Sequence, residues 1–325
     1  MRVVRDLSEL RAPLPRSAVT IGNFDGIHLG HRELLARVVN SARELEATSV
    51  VVTFDPHPAQ VLAPERAPRI LTPLVAKTRL IEREGIDLLM VLRFTREMSL
   101  LSPAEFAASI LVGKLHAAVV HVGSNFRFGH QRAGDTSALA ELGRKSGFRV
   151  ETLPMIKLRG HRVSSSQIRQ FLADGRVVIA GRMLGRPYAV NGDITAGEGV
   201  GREQTVPTLN LGPVEQLLPK IGVYVTRTLV GGTLYDSVTN VGHKPTFEHH
   251  RLTVESFLLD FRGRIDAQEM QVEFLYRLRD EIRFPNAEAL KQQIQQDVQR
   301  SLKFFRLTKR LSGTSSFSRS TPAHT

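Results

Sequence analysis

The first half of the chain alternates short apolar runs with stretches in which apolar residues recur every three or four positions. The runs are typical of buried strands, and the stretches are typical of helices with one apolar face. The predicted strands are Ala18–Ile21, Ser49–Phe54, Asp87–Leu92, Ala117–Val122 and Arg149–Leu153. The predicted helices lie near His31–Glu46, Val75–Glu84, Pro103–Val112 and Thr136–Lys145. Repeated strand–helix units predict a parallel sheet that is covered by helices on both faces.

The second half changes to apolar residues at alternate positions, which is typical of half-buried strands. A helical stretch, Arg176–Leu184, precedes the change. The predicted elements are strands at Tyr188–Ile194, Val223–Val230, Thr233–Asn240, Leu252–Leu259 and Gln271–Tyr276, and a helix over about Ala287–Phe304. Turn residues between the strands favour an antiparallel barrel. We therefore predict two domains, 1–183 and 184–306, and a disordered basic tail over 307–325.

The length and composition of the chain agree with this division. At 325 residues the chain exceeds the size that one hydrophobic core usually supports. It contains no cysteine and therefore no disulfide framework. The sequence shows no secretion signal and no apolar run long enough to cross a membrane. We expect a cytoplasmic protein without a membrane partner.

The formal net charge of +12 is compatible with binding to nucleic acid, to a membrane surface or to small anionic substrates. Part of the excess lies in the C-terminal segment from Ser301 onward, which carries five basic residues and no acidic ones: Lys303, Arg306, Lys309, Arg310 and Arg319. No basic run is interleaved with aromatic residues, as RNA-binding segments often are. We therefore expect small anionic substrates and no nucleic-acid partner, and RNA binding stays the rival interpretation.

Residues 20–35, TIGNFDGIHLGHRELL, join the end of a predicted strand to the start of a predicted helix. The spacing of the following apolar residues puts His28 and His31 at the N-terminus of that helix. Unpaired N–H groups and the positive end of the helix dipole favour an anion there. Gly30 lets the backbone approach a phosphate, and imidazoles can donate hydrogen bonds to oxygens that gain charge as a phosphorus–oxygen bond breaks. The segment therefore predicts a nucleotide-phosphate site in which the two histidines are catalytic.

Two other interpretations of these histidines stay open on the residues alone. A histidine pair with two intervening residues can bind a transition metal, although a closed site needs further His or Cys ligands. The histidines can also be capping or core residues without chemistry, because short patterns match by chance.

Several further segments accompany this one. They are TFDPHP at 53–58, VGSNFRFG at 122–129, SSSQIRQFLADG at 164–175, LGRPYAVNGDI at 184–194, VPTLNL at 206–211, TNVGHKPTF at 239–247 and TVESFLLDF at 253–261. In this order, and over nearly the whole chain, they resemble the HxGH nucleotidyltransferases and, within them, the prokaryotic bifunctional riboflavin kinase/FMN adenylyltransferases, or FAD synthetases. The resemblance implies a Rossmann-like α/β nucleotidyltransferase domain, followed by an antiparallel β-barrel riboflavin kinase domain with a C-terminal helix.

The same resemblance implies two ATP-dependent reactions. The barrel would phosphorylate riboflavin to FMN, and the α/β domain would adenylylate FMN to FAD and release pyrophosphate. The expected small-molecule partners are therefore riboflavin, FMN and ATP, and Mg²⁺ is the expected cofactor at both sites. The sequence leaves open whether the chain forms a homo-oligomer.

In the α/β domain, the motifs imply two groups of binding residues. The ATP and phosphate group consists of Gly22, Asn23, Phe24, Asp25, Gly30, His57, Ser164, Ser165 and Arg169. The flavin group consists of Asn125, Phe126, Arg127 and Phe128, whose aromatic rings can pack beside an isoalloxazine. Structural alternatives are a rigid turn at His57, loop packing for the two phenylalanines and plain helix capping for the serines.

In the barrel, Thr208 and Asn210 match the family's magnesium ligands, and oxygen ligands of this kind suit Mg²⁺. Glu255 is the candidate general base for the riboflavin hydroxyl, and strand alternation predicts that it faces away from its two neighbours. A glycine cluster at 197–201 can cradle phosphate or form an ordinary turn. Because Val206 and Leu209 depart from the family's pattern, the alternative function is a monofunctional FMN adenylyltransferase with a degenerate, flavin-binding kinase domain.

Overall fold

The computed structural model describes residues 1–10, 12–195, 208–245, 250–261 and 265–314. The chain forms two compact units: the first comprises Met1–Ile168 and Met183–Gly185, and the second comprises Arg169–Arg182 and Arg186–Thr325. The glycine cluster 197–201 and Val206 lie outside the described residues. Each unit is a separate piece of architecture with its own sheet.

The first unit contains a six-stranded sheet whose paired strands are all parallel, in the order β1-β4-β3-β2-β5-β6. The strands are β1 Arg2–Val4, β2 Ser17–Ile21, β3 Thr48–Asp55, β4 Leu88–Arg93, β5 Ala117–Gly123 and β6 Arg149–Leu153. A small antiparallel pair, β7 Lys157–Leu158 and β8 His161–Arg162, follows. The predicted parallel sheet is confirmed, and the added edge strand β1 is too short to produce a pattern in the sequence.

Helices connect and follow these strands, and most residues of the last two helices named below belong to the second unit. They are α1 Leu29–Glu44, α2 Pro58–Leu62, α3 Leu74–Arg83, α4 Arg96–Ser99, α5 Pro103–Phe106 with a π-helical continuation over Ala107–Val112, α6 Thr136–Ser146, α7 Ser165–Ala173 and α8 Val177–Leu184. Side chains on alternate positions of the central strands enter two apolar clusters: Val50 and Val52 pack on one, and Val51 packs on the other. The sheet is therefore buried on both faces, as continuous apolar runs predict.

The second unit contains a closed antiparallel barrel in the order β10-β13-β12-β11-β14-β9. Its strands are β9 Tyr188–Thr195, β10 Thr208–Leu211, β11 Gly222–Val230, β12 Thr233–Pro245, β13 His250–Leu258 and β14 Glu269–Arg279. The predicted barrel is confirmed. Strand β10 was not predicted, because its four residues alternate polar and apolar over too short a length to stand out in the sequence.

The inside of the barrel holds five buried hydroxyl groups among apolar side chains. They belong to Thr226, Thr228, Ser237, Thr239 and Ser256. Each hydroxyl bonds to another member of the group, at oxygen–oxygen distances from 2.6 to 2.9 Å. Since buried hydroxyls are stable when they are paired, this network satisfies the polar part of the core internally.

Helix α9, Ala287–Thr314, packs on the outside of the barrel. Phe305 is 3% exposed among apolar residues of β11 and β12, and Asp297, 2% exposed, forms an ion pair with Arg279 of β14 at 2.7 Å. The helix runs past its predicted end at Phe304 and into the segment 307–325, which the sequence predicted to be disordered. No glycine or proline interrupts the pattern before Gly313, so the helix continues there, and 315–325 lie outside the described residues.

Candidate active sites

Helix α1 begins where the loop after β2 reaches His28. The backbone N–H of His31 donates to Nδ1 of His28 at 3.2 Å, so His28 is the N-cap of the helix. Gly30 makes this arrangement possible, because a Cβ at that position would lie 3.2 Å from Cε1 of the His28 ring. The capping alternative is thus part of the arrangement: it orients one ring at a helix N-terminus.

The rings of His28 and His31 stack with their centroids 3.6 Å apart and their planes at 12°. Nδ1 of His31 is buried and bonds to no group in the described part of the chain. Burial lowers the pKa of His31 well below its ordinary value of 6.5, and the charges of His28 and Lys77 lower it further. Nδ1 of His28 accepts a hydrogen bond, so that ring, when it is neutral, carries its proton on Nε2. The stacked pair therefore presents imidazole N–H groups at the start of the helix.

Two hydrogen bonds anchor the backbone of the loop that precedes α1. The carbonyl oxygen of Asn23 accepts from Nζ of Lys77 at 2.8 Å and from the Thr53 hydroxyl at 3.3 Å. Phe24 is 1% exposed, and its ring meets His31 edge-on at 5.0 Å. Gly22 is half-buried, and a Cβ there would lie 3.3 Å from the Phe24 ring. The loop is thus packed tightly against the core on the side where the His31 ring rests.

The carboxylate of Asp25 faces the protein interior. Its oxygens accept the backbone N–H groups of Leu71 and Thr72 at 2.9 to 3.0 Å, and the residue is 3% exposed. Phe24 and Asp25 were both predicted to contact ATP, whereas the structure buries both side chains. The observed contacts of both side chains position the loop. The sequence could not show this, because it does not reveal which side of a turn the core covers.

His57 caps α2 after the end of β3. Nδ1 of its ring accepts the backbone N–H of Ala59 at 3.2 Å, so the proton lies on Nε2, which is 3.2 Å from the Asn23 side-chain amide. The amide atom at that distance is Nδ2, and exchanging the amide's nitrogen and oxygen would give Nε2–H an acceptor. The structure therefore brings His57 to the loop that precedes the paired histidines, and both segments follow the carboxyl ends of neighbouring parallel strands.

The serine segment meets the same loop. Ser165 donates its hydroxyl to the carbonyl oxygen of Asp25 at 2.8 Å, and the Ser164 hydroxyl accepts the Gln167 N–H at 3.2 Å as a helix cap. Arg169 is half-buried on α7 and is the first residue of the second unit. The structure thus places Ser165 beside Asp25, and Ser164 caps the helix that follows. We call His28, His31, His57, Lys77 and the loop 22–27 the histidine site.

The predicted flavin residues follow β5. Asn125 and Arg127 are exposed, and Arg127 pairs with Asp135 at 3.3 Å. The rings of Phe126 and Phe128 stack at 5.4 Å, but Phe128 is only 7% exposed and belongs to the apolar core. Phe128 therefore follows the loop-packing alternative, and Asn125, Phe126 and Arg127 keep surface that a ligand can reach.

The predicted barrel residues share one face of three neighbouring strands. Asn210 of β10 and Asn240 of β12 lie directly opposite Glu255 of β13, one on each side. Directly opposed side chains have Cβ atoms about 4.5–5.5 Å apart. Glu255 is half-buried, while its neighbours Val254 and Ser256 are buried inside the barrel. Glu255 therefore faces outward, as alternation predicts.

Asn210 carries an unsatisfied acceptor. Its Oδ1 is buried and bonds to no group of the described chain. Thr208, two residues earlier on the same face, is exposed and pairs with Phe257 of β13. Since buried oxygens are nearly always partnered, the site fits an added cation with a preference for oxygen. We call Thr208, Asn210, Asn240 and Glu255 the barrel site.

Sequence reasoning missed Lys77 and Asn240. Lys77 lies on the same face of α3 as Leu74 and Ile81, and a lysine on an apolar stripe is a signal that a sequence can show. Asn240 had no such signal, because its place beside Glu255 depends on strand register.

Two further observations concern metals and membranes. Within the described ranges, no three His, Cys, Asp or Glu side chains converge as a metal-binding group. Among the helices of that part of the chain, none has the length and apolarity to cross a membrane.

Comparisons with known proteins match both units. The FAD synthetase family model matches residues 11–167, and the riboflavin kinase family model matches residues 184–305. The bifunctional riboflavin kinase/FMN adenylyltransferase of Pseudomonas fluorescens is 38% identical over 299 residues, which is 92% of this chain and 96% of that protein. The protein of the same name from Escherichia coli K12 is 35% identical over 311 residues, which is 95% of this chain and 99% of that protein.

A solved structure shows the same two-part fold. It is described as a macrolide-efflux protein from Streptococcus pneumoniae and is similar with a TM-score of 0.81 and 28% identity, over 91% of this chain and 96% of that one. The predicted resemblance is confirmed, and so is the prediction of an enzyme with a FAD synthetase domain and a riboflavin kinase domain. The chain belongs to the family of bifunctional riboflavin kinase/FMN adenylyltransferases.

Proposed function

We propose that the chain converts riboflavin to FAD in two steps, with adenylyl transfer at the histidine site and phosphoryl transfer at the barrel site. The observation that carries the first assignment is the stacked pair of His28 and His31 at the start of α1. The observation that carries the second is the row Asn210–Glu255–Asn240 on the outer face of the barrel. The family matches at 11–167 and 184–305 support this order of domains.

In the adenylyl step, a phosphate oxygen of FMN attacks the α-phosphorus of ATP. The new phosphorus–oxygen bond forms, the bond to the bridging oxygen of the β-phosphate breaks, and pyrophosphate leaves. Ring N–H groups of His28 and His31 donate to oxygens that gain charge during this exchange. The N-terminus of α1 adds its unpaired N–H groups and dipole, which also favour negative charge.

In the kinase step, the 5′-hydroxyl oxygen of riboflavin attacks the γ-phosphorus of ATP, and ADP leaves. Glu255 accepts the hydroxyl proton. Thr208 and Asn210 would hold Mg²⁺, because the buried Oδ1 of Asn210 is left without a partner in the described chain. When bound, the ion supplies charge neutralisation to the nucleotide phosphates.

The remaining predictions are parts of the same proposal. They are the domain limits 1–183 and 184–306, Mg²⁺ at the histidine site, the flavin contacts of Asn125, Phe126 and Arg127, the phosphate contact of Arg169, a location in the cytoplasm, and any homo-oligomer. The alternative of a degenerate kinase domain loses support, because Thr208, Asn210 and Glu255 share one face of the barrel.

The test is a product time course with the full chain. With riboflavin, ATP and Mg²⁺, separation of the flavins by chromatography should show FMN first and FAD afterwards. FAD that forms only when FMN is supplied would support the degenerate kinase, and no turnover of either flavin would contradict both assignments. Binding of labelled RNA without conversion of either flavin would support the rival interpretation, an RNA-binding protein.

A further inference from the structure

Lys77 lies almost fully inside the first unit, with 7% of its surface exposed. It follows Leu74 on α3 and precedes Ile81, and these two residues pack against the apolar cluster that contains Phe24. Burying a lysine ammonium in such surroundings costs free energy unless hydrogen bonds or opposite charges offset the loss of hydration. The side chain therefore needs an explanation beyond packing.

The ammonium reaches the loop of the histidine site. Nζ donates to the carbonyl oxygen of Asn23 at 2.8 Å. The side chain of the same Asn23 lies 3.2 Å from Nε2 of His57. The Lys77 ammonium thus holds Asn23, whose side chain contacts His57. The ring of the next residue, Phe24, packs edge-to-face with the ring of His31.

The charged groups around Lys77 come from three elements. Asp25 lies on the loop, Asp55 lies at the end of β3, and His31 lies at the start of α1. Burial lowers the pKa of Lys77, while the charges of the two aspartates oppose that shift. In the other direction, the positive charge of Lys77 contributes to the low pKa of His31. The lysine and the imidazole are therefore electrostatically coupled.

We infer that Lys77 is a positioning residue for adenylyl transfer, fixing the Asn23 turn through its hydrogen bond and placing a positive charge beside His31. The inference rests on the proposed role of the histidine site. It assigns Lys77 no contact with substrate. Its effect passes through Asn23 and His31.

Removal of the charge should change both rate and pH dependence. In Lys77→Met the stem is kept and the ammonium is lost, so we expect kcat for FMN adenylylation to fall roughly 10-fold to 100-fold. The pKa of His31 should rise towards its ordinary value of 6.5, because one of the charges that lowers it is gone. The acidic limb of kcat/KM should then move to higher pH.

Two variants separate the hydrogen bond from the charge. Lys77→Gln keeps a donor for Asn23 without the charge, so it should show the shifted acidic limb with a smaller loss of kcat than Lys77→Met. Lys77→Arg keeps the charge and should leave the limb where the wild type has it. The matched control is Lys145→Met, which removes an exposed lysine of α6 and should leave both activities unchanged.

The experiment measures both activities of each full-length variant across pH, with riboflavin kinase as the test of intact protein. Suppose that Lys77→Met loses adenylylation while the acidic limb stays at the wild-type pH in both Lys77→Met and Lys77→Gln. Lys77 would then have only a structural role, and the inference would be overturned. Wild-type kcat and limb in both variants would overturn it as well. If Lys77→Met fails to fold, the limb of Lys77→Gln decides. His28→Ala is run in parallel: full adenylylation in that variant contradicts the proposed site itself, whereas its loss beside unchanged Lys77 variants contradicts only the inference.

Discussion

The histidine site and the barrel site differ in the side chains that each brings together. At the histidine site, the carboxylate of Asp25 accepts backbone N–H groups, and the imidazoles of His28 and His31 stack at a helix N-terminus. At the barrel site, the side chains on the shared face carry oxygens, among them Oδ1 of Asn210, which has no partner among the described residues, and the carboxylate of Glu255. Donors suit direct stabilisation of charge on phosphate, and acceptors suit a metal ion and a proton.

Under the proposed function, one chain uses ATP at two sites that share no residues. A helix N-terminus and neutral rings favour the α-phosphate exchange, which needs no proton acceptor when FMN is ionised. A hydroxyl nucleophile needs an acceptor such as Glu255. The predictions below test whether the two sites are separate in this sense.

The largest expected effect is a reciprocal loss in two single variants. His28→Ala should lower FMN adenylylation by roughly a thousandfold and leave riboflavin phosphorylation unchanged, because it removes one donor to the transition state. Glu255→Ala should do the reverse by removing the proton acceptor. Initial rates with riboflavin and with FMN as separate substrates measure both effects.

The control for the first variant is His116→Asn, which changes an exposed histidine with a positive φ of 42° that Asn tolerates. It should keep both activities. A variant of His28 or Glu255 that remains folded and loses both activities would show that the sites depend on each other.

A smaller effect is expected from breaking the ion pair that joins α9 to the barrel. Asp297→Ala removes one partner of a buried ion pair and leaves Arg279 uncompensated, so it should lower the free energy of unfolding of the second unit by about 3 kcal/mol. In a urea series, kinase activity should disappear at lower concentration than in the wild type, while adenylylation keeps its midpoint.

The matched control replaces both partners. Arg279→Met combined with Asp297→Ala leaves no buried charge and should recover part of the lost stability. An adenylylation midpoint that moves together with the kinase midpoint would contradict the separation of the two sites.

The metal requirement gives a still smaller effect. Asn210→Leu removes an oxygen that has no hydrogen-bond partner among the described residues, so the barrel should keep its thermal stability. The Mg²⁺ concentration for half-maximal kinase activity should rise by about tenfold, since one oxygen ligand is lost. An unchanged Mg²⁺ dependence in the folded variant argues against Asn210 as a ligand, and FAD formation from FMN is the internal control.

The smallest expected effect is a near absence of change with pH. Because the pKa of His31 lies well below 6.5, the ring stays neutral as the pH falls through that value. The kcat/KM of FMN adenylylation should therefore change by less than about twofold between pH 7.5 and 6.5, and should fall only at lower pH. A steep loss centred on 6.5 would mean that His31 titrates as an ordinary histidine.

Local pattern explains what the sequence could predict. The apolar spacing at Leu34, Leu35 and Val38 located helix α1 and therefore His28 at its cap. The alternation around Glu255 predicted its outward direction. These features depend only on neighbours in the chain.

The parts that sequence could not supply depend on contacts between distant segments. Asp25 turns inward because Leu71 and Thr72 offer N–H groups that the sequence does not mark. Asn240 lies beside Glu255 only through the register of β12 and β13. The continuation of α9 beyond Phe304 reflects good helix formers in a segment whose charge suggested disorder.

The most direct test of two separate sites is complementation between two damaged chains. His28→Ala and Glu255→Ala are assayed alone and mixed, each at equal concentration, with riboflavin, ATP and Mg²⁺. We predict that neither variant alone makes FAD from riboflavin, and that the mixture does, because FMN released by one chain is adenylylated by the other. Two results would contradict the account. One is FAD formed from riboflavin by either variant alone. The other is that a mixture of the two folded proteins forms no FAD, even when FMN is supplied.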